Sequence, residues 1–136
     1  MIKKVLIILV LIISLISCNN KTDINLSIDK DGYVKFEDAI KSKQFVIVKF
    51  GLEICTGCIE ANEILIGLMP EYKDNKNICF SKVDLFEDRG AEKKYNIKMM
   101  PTIIFFDKNG KEFHRIEGII TKEAIKEKID SICLDF

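Results

Sequence analysis

This sequence has no net positive charge, and it contains few arginines and histidines. The 21 lysines and arginines only balance 21 acidic residues, Arg89 and Arg115 are the only arginines, and His114 is the only histidine. Without a positive field the chain has little to attract nucleic acid, and so few arginines argue further against phosphate recognition. We therefore expect no nucleic-acid partner.

Low-complexity tracts and internal repeats are absent as well. Hydrophobic residues make up 48% of the chain and charged residues 31%, which is the composition of a folded rather than a disordered protein. A length of 136 residues suits a single domain with one sizeable core. We expect that domain to be monomeric and to need no cofactor.

The apolar run Val5–Ile16 is too short to be a transmembrane helix. Such a helix needs about 20 apolar residues, whereas this run has the length of an export-signal core. It follows the basic start Met1–Lys4 and ends in Leu15-Ile16-Ser17-Cys18, just before polar residues. Those last four residues resemble the lipobox of bacterial lipoproteins, whose cysteine is lipidated and becomes the new N-terminus.

This beginning predicts a lipoprotein signal peptide at 1–17, and a lipidated Cys18 that starts a tether ending at residue 23. The rest of the protein would be extracytoplasmic and lipid-anchored to a bacterial membrane, because several acyl chains anchor stably. The alternative is an uncleaved signal anchor, which also leaves the remainder outside the cytoplasm. Residues 24–136 then form the folded domain.

Strands alternate with helices along that domain. The apolar run Phe45–Phe50, interrupted only by Lys49, indicates a central strand covered on both faces. Ile59–Tyr72 has helical periodicity, and Pro70 is expected to bend this helix or to end its regular part. The other predicted elements are an edge strand at 24–28, a helix from about 36 to 43, strands at 77–84, 101–106 and 111–116, and helices at 88–95 and after Thr121. This order predicts an α/β fold with a mixed sheet between two layers of helices.

Two cysteines lie where the central strand meets the next helix, in the motif Cys55-Thr56-Gly57-Cys58. A lone C-x-x-C is a weak signal, because half of a zinc site has the same spacing. At a helix N-terminus, however, the free N–H groups and the helix dipole favour a thiolate. The position of the motif therefore indicates a redox dithiol.

Together with other segments, this motif resembles the thioredoxin family over essentially the whole domain. The resemblance implies a thioredoxin-like three-layer α/β/α sandwich with a mixed central sheet of four to five strands. It also implies a cis proline at Pro101 that faces the dithiol, with Met100 offering its backbone to a bound substrate. The segments that carry the resemblance are Val46–Phe50, Cys55–Cys58, Lys82–Asp84, Tyr95–Asp107, Asn109-Gly110 and Gly118.

The family also implies a disulfide oxidoreductase activity. Cys55 would attack a substrate disulfide as the exposed thiolate, and the more buried Cys58 would resolve the mixed disulfide. With the predicted leader, the partners would be thiols and disulfides of exported proteins, or a redox donor in the membrane. The direction of electron flow stays open.

Three features depart from the common pattern of the family. Ile54 replaces the aromatic residue that usually precedes the first cysteine, so we expect an aliphatic lip for substrate. Lys49 replaces a buried carboxylate, and as a cation it would lower the thiolate pKa and make the site more oxidising, unless its ammonium reaches solvent and has no effect. Thr56-Gly57 brings neither proline nor histidine into the motif, which also tunes the dithiol.

The main alternative is a metal-delivery protein of the same fold that binds copper through Cys55, Cys58 and Met100. A site that includes His114 would need a fourth ligand and an improbable geometry, so we predict no metal ligands. Cys79 is expected to be structural, and a disulfide between Cys79 and Cys133 stays open at this point.

Overall fold

Four strands form one mixed sheet in the computed structural model, which describes residues 26–134. The strand order is β2-β1-β3-β4, with β1 parallel to β2 and antiparallel to β3, and with β3 antiparallel to β4. The elements are α1 (Phe36–Lys41), β1 (Phe45–Gly51), α2 (Thr56–Tyr72), β2 (Ile78–Asp84), α3 (Arg89–Lys94), β3 (Thr102–Phe106), β4 (Glu112–Glu117) and α4 (Lys122–Leu134).

Alternation along the strands divides the core into two clusters, one on each face of the sheet. Ile47 and Phe105 point to the face covered by α2 and α4, where Leu65 and Ile129 are fully buried. Val46, Val48 and Phe50 point to the face covered by α1 and α3. The three-layer α/β/α arrangement and the four-stranded mixed sheet are as predicted.

The predicted edge strand at 24–28 is wrong for the part that the structure describes. Ile28 makes only an isolated bridge to Val34, which in turn bridges to Ser81 of β2. The chain reverses direction between Ile28 and Val34, where the Asp29 carboxylate accepts hydrogen bonds from the N–H groups of Asp31 and Tyr33. This turn leaves too few residues in line for a ladder.

Two predicted helix features also differ. The helix α2 begins at Thr56, three residues earlier than its apolar periodicity indicated, because the first turn carries the small residues of the motif. Pro70 does not end this helix, which continues to Tyr72. A proline near the end of a helix removes one hydrogen bond, and here its ring is exposed.

The predicted signal peptide, Cys18 and the tether lie outside the described residues. Within 26–134, no helix is both long and apolar enough to cross a membrane.

Candidate active site

Cys55 is the N-cap residue of α2. Its backbone is extended, with φ −84° and ψ 122°, and its carbonyl accepts the first helical hydrogen bond from the N–H of Ile59 at 2.9 Å. The thiol therefore lies over the unpaired N–H groups of the first turn. A hydrogen bond from the Cys58 thiol, the N–H groups of Cys58 and Gly57, and the positive charge of Lys49 together lower the pKa of Cys55.

Cys58 lies one turn further along the same helix and has no exposed surface. Burial raises the pKa of its thiol, and the hydrogen bond to Cys55 raises it further. Both cysteines are free thiols in the structure. The pair is thus divided into a half-exposed thiol that ionises readily and a buried thiol that does not, which suits the sequence of attack and resolution predicted above.

The loop before β3 packs against the start of α2. The Met100–Pro101 peptide bond is cis, as predicted. A Cβ atom on Gly57 would lie 3.3 Å from Cδ of Pro101, so the proline ring contacts the first turn of the helix. The N–H of Gly118 donates to the Pro101 carbonyl at 2.9 Å, which ties this loop to the end of β4.

Large apolar side chains surround the dithiol and remain exposed to solvent. Ile54, next to Cys55, is 90% exposed, and Met100, next to Pro101, is 41% exposed. We call this surface the apolar rim, and it comprises Ile54, Met99, Met100 and Ile119. Gly118, which precedes Ile119, lies against Met99, because a Cβ atom on it would be 2.5 Å from Sδ of Met99. This contact places Ile119 beside the two methionines. Ile54, Met99 and Met100 were the apolar lip expected from the sequence, and Ile119 extends it.

Lys49 lies on the α2 face of the sheet, below the dithiol. Its neighbours Val48 and Phe50 point to the opposite face, and Lys49 itself is only 7% exposed. Lys49 and Cys58 line the same cavity of about 320 Å³. Burial lowers the pKa of Lys49, whereas a thiolate at Cys58 would raise it. The alternative in which this ammonium reaches open solvent does not match that burial.

Thr56 and Gly57 occupy the first turn of α2, between the two thiols. Thr56 is exposed, and Gly57 contacts Pro101 as described above. Their effect on the redox properties stays a prediction.

The remaining candidates lie away from the dithiol. His114 pairs with Phe105 in β4, three register positions from the Thr102 end of β3 that adjoins Pro101. Cys79 packs in the cluster on the α1 face and Cys133 against the cluster on the α4 face, so the sheet separates them and a disulfide between them is excluded. Residues 26–134 hold no group of three His, Cys, Asp or Glu side chains suited to a metal ion.

Sequence reasoning missed three contributors to the site. Gly51 adjoins Cys58, Lys82 is the register partner of Lys49, and Ile119 extends the apolar rim. A parallel pairing of the two strands that contain Lys49 and Lys82 could have suggested their proximity. Nothing in the sequence indicated the contacts of Gly51 or Ile119.

Comparison with known proteins agrees with this geometry. The family model described as Thioredoxin matches residues 28–131. Thioredoxin-1 of Caenorhabditis elegans is 33% identical over 103 residues, which cover 71% of this chain and 83% of that protein. Protein disulfide isomerase-like 2-1 of Oryza sativa is 29% identical over 71% of this chain but only 26% of its own length. The crystal structure of oxidized mitochondrial thioredoxin 3 from Saccharomyces cerevisiae has a similar fold, with a TM-score of 0.60 and 24% identity over 71% of this chain and 86% of that one.

Proposed function

Since the chain belongs to the thioredoxin family, we propose that it is an extracytoplasmic, membrane-tethered protein disulfide oxidoreductase that acts through Cys55 and Cys58. Family membership carries the general activity, which is thiol–disulfide exchange. The observation that supports assigning this activity to Cys55 and Cys58 is the division of the pair into an accessible thiol at the start of α2 and a buried thiol beneath it.

The reaction has two exchange steps. In the first, the Cys55 thiolate attacks one sulfur of a substrate disulfide, forms a mixed disulfide and releases the other substrate sulfur as a thiolate. In the second, the Cys58 thiol loses its proton and attacks Sγ of Cys55, which releases the second substrate sulfur and leaves a Cys55–Cys58 disulfide. The protein loses two electrons and the substrate gains them, and the reverse sequence oxidises a substrate dithiol.

Polypeptides with apolar residues beside their disulfide fit the apolar rim best. Ile54 and Ile119 are both about nine-tenths exposed, and such surfaces bind partners by removing apolar area from water. Met99 and Met100 add flexible side chains that adapt to different sequences. We therefore assign the rim to substrate binding, together with the Met100–Pro101 backbone.

The membrane tether is proposed from the leader sequence. Cys18 would carry the lipid, and residues 18–23 would hold the domain near a membrane where exported proteins and a membrane redox donor are available. Replacing Cys18 by Ala in the full chain should abolish incorporation of labelled fatty acid and release the protein from the membrane fraction of a bacterial host. Unchanged labelling and fractionation would contradict lipidation at this residue.

Trapping of partners tests the exchange activity directly. In a full-length Cys58→Ala variant the second step is blocked, so substrates should accumulate as mixed disulfides on Cys55. These adducts should be visible on non-reducing gels and disappear on reduction. The matched control is the Cys55→Ser, Cys58→Ala double variant, which should capture nothing, although it keeps Cys18, Cys79 and Cys133.

A complete absence of adducts, combined with no reduction or oxidation of a model disulfide peptide by the wild-type chain, would overturn the proposed activity. The same preparations distinguish metal delivery. Stoichiometric binding of Cu(I) by the reduced chain without any exchange activity would favour that alternative.

A further inference from the structure

Two lysines lie side by side below the dithiol. Lys49 of β1 and Lys82 of β2 are register partners in the parallel pair, so their side chains leave the same face of the sheet. Two ammonium groups on neighbouring strands repel each other, and this repulsion is larger in a partly buried site than in water. This repulsion favours the loss of a proton from one of the two lysines.

Lys82 is the lysine that keeps its charge. Its Nζ lies 2.8 Å from Oδ2 of Asp31 and 3.1 Å from Oδ2 of Asp29. Its cation also lies over the Tyr33 ring, 5.1 Å from the centroid. Burial disfavours the charge, but the hydrogen bonds and charges of the two aspartates outweigh burial and raise the pKa of Lys82.

Lys49 lacks comparable partners. Within residues 26–134 its ammonium makes no ion pair or hydrogen bond, and its register partner on β3 is the fully buried Ile103. The charged groups around it are Lys82 and Asp84 from β2, Glu53 from the loop before α2 and Cys58 from α2, with Asp31 and Glu87 elsewhere in the cavity. Burial and Lys82 outweigh the acidic groups and lower the pKa of Lys49.

We propose that Lys49 accepts the proton of the Cys58 thiol when Cys58 attacks the mixed disulfide at Cys55. This inference rests on the proposed exchange activity and concerns its second step. The cavity of about 320 Å³ that Lys49 shares with Cys58 has room for water, which can carry the proton between them. The buried thiol alone ionises poorly. Because burial and the neighbouring Lys82 disfavour the ammonium form of Lys49, its amine form can serve as the proton acceptor for this thiol.

The proton and electrons balance in this step. Lys49 becomes an ammonium as Cys58 becomes a thiolate, and the two opposite charges stabilise each other. The thiolate then bonds to Sγ of Cys55, the bond from Cys55 to the substrate sulfur breaks, and the substrate leaves as a thiolate. As the negative charge leaves with the substrate, the Lys49 ammonium loses the thiolate that stabilised it and releases its proton to the departing thiolate or to water.

A two-phase thiol-release experiment tests this role. Reduced full-length protein is mixed with dithiobis(nitrobenzoate), and the coloured thiol is followed by stopped flow over a range of pH. The first release reports attack by Cys55, and the second reports resolution by Cys58. All proteins carry Cys18→Ser and Cys133→Ser, and a Cys58→Ala variant defines the first phase.

Three substitutions at position 49 separate a proton acceptor from a mere positive charge. Lys49→Met removes both properties, Lys49→Arg keeps the charge but cannot accept a proton, and Lys49→Glu replaces the amine with another proton acceptor. We expect Met and Arg to slow the second phase by roughly 100-fold near neutral pH, in the range of general-base catalysis, and to shift its pH dependence upward. Glu should restore much of that rate.

The first phase serves as the folding control, because every folded variant should still release one thiol. A second phase in Lys49→Arg as fast as in the wild type would show that charge alone matters and would overturn the inference. Equal rates in Lys49→Met would overturn it as well. If the wild type shows neither phase, the proposed exchange activity itself fails, and the inference fails with it.

Discussion

Gly51 lies so close to Cys58 that no residue larger than glycine fits at position 51. A Cβ atom on Gly51 would lie 2.6 Å from Sγ of Cys58 and 3.2 Å from its Cβ. Non-bonded carbon and sulfur atoms do not approach so closely, so the last residue of β1 must lack a side chain if the buried thiol is to keep its position. The close approach of β1 to Cys58 therefore depends on the glycine at position 51.

We predict that Gly51→Ala displaces Cys58. Overpacking should reduce the free energy of unfolding by about 1–3 kcal/mol and slow the second phase of thiol release more than the first. Urea denaturation and the stopped-flow assay measure the two effects. Gly67→Ala is the matched control, because a Cβ atom there meets nothing within 4 Å, and it should stabilise α2 by about 0.5–1 kcal/mol. A Gly51→Ala protein as stable and as active as the wild type would contradict the close contact.

The pKa values of the two thiols are shifted in opposite directions from that of an ordinary cysteine. Since the pKa of Cys55 is lowered and that of Cys58 is raised, alkylation of the reduced chain near neutral pH should modify Cys55 and spare Cys58. The hydrogen bond from Cys58 is the largest cause of the lowered pKa of Cys55, so Cys58→Ala should shift the alkylation of Cys55 to higher pH. Peptide mass analysis of alkylated samples measures both results, and preferential alkylation of Cys58 would contradict them.

The elements that repeat a pattern could be predicted from the sequence, and the contacts between elements could not. Phe45–Phe50 and Cys55–Cys58 identified the central strand and the start of α2, because burial on both faces and helix capping leave a local record. The predicted cis bond before Pro101 came from the family resemblance. The roles of Gly51 and Lys82 depend on strand register and on side chains from other elements, which a single sequence does not contain.

The predicted edge strand at 24–28 also shows that a single sequence does not contain the pairing partners of a strand. Alternation around Ile28 is compatible with a strand, but pairing also requires a partner in reach over several residues. The turn held by Asp29 brings Val34 into that place instead. Local pattern and tertiary pairing therefore disagree at the beginning of the described domain.

The apolar rim should matter for protein substrates and not for small ones. We expect Ile54→Gln to reduce mixed-disulfide capture of protein partners in the Cys58→Ala background by roughly tenfold, the effect of about 1.4 kcal/mol of lost binding. Its reaction with dithiobis(nitrobenzoate) should stay near the wild-type rate. Leu134→Gln is the matched control, because Leu134 is 84% exposed but lies at the far end of α4. Equal losses of capture in the two variants would contradict a specific role for the rim.

Lys49 should also reveal its lowered pKa through folding stability. The unfolded chain holds the Lys49 proton up to its ordinary pKa of 10.5, whereas the folded chain releases it at lower pH. Between those two values the unfolded state binds more protons, so this lysine makes stability rise with pH. The destabilisation caused by the buried ammonium is complete at pH values below the pKa of Lys49 in the folded state. It is absent at pH values above the pKa in the unfolded state. We therefore expect Lys49→Met to be more stable than the wild type, with the largest difference near neutral pH.

Urea denaturation of both proteins from about pH 7 to about pH 10.5 measures that difference, and the range ends at the pKa of a free lysine. Only the part that changes with pH reports the lysine, because the extra apolar area of methionine contributes equally throughout. A difference that narrows toward high pH is the expected result. A difference that is constant or widens would mean that the pKa of Lys49 is not lowered in the folded state, and it would remove a premise of the proposed proton transfer from Cys58.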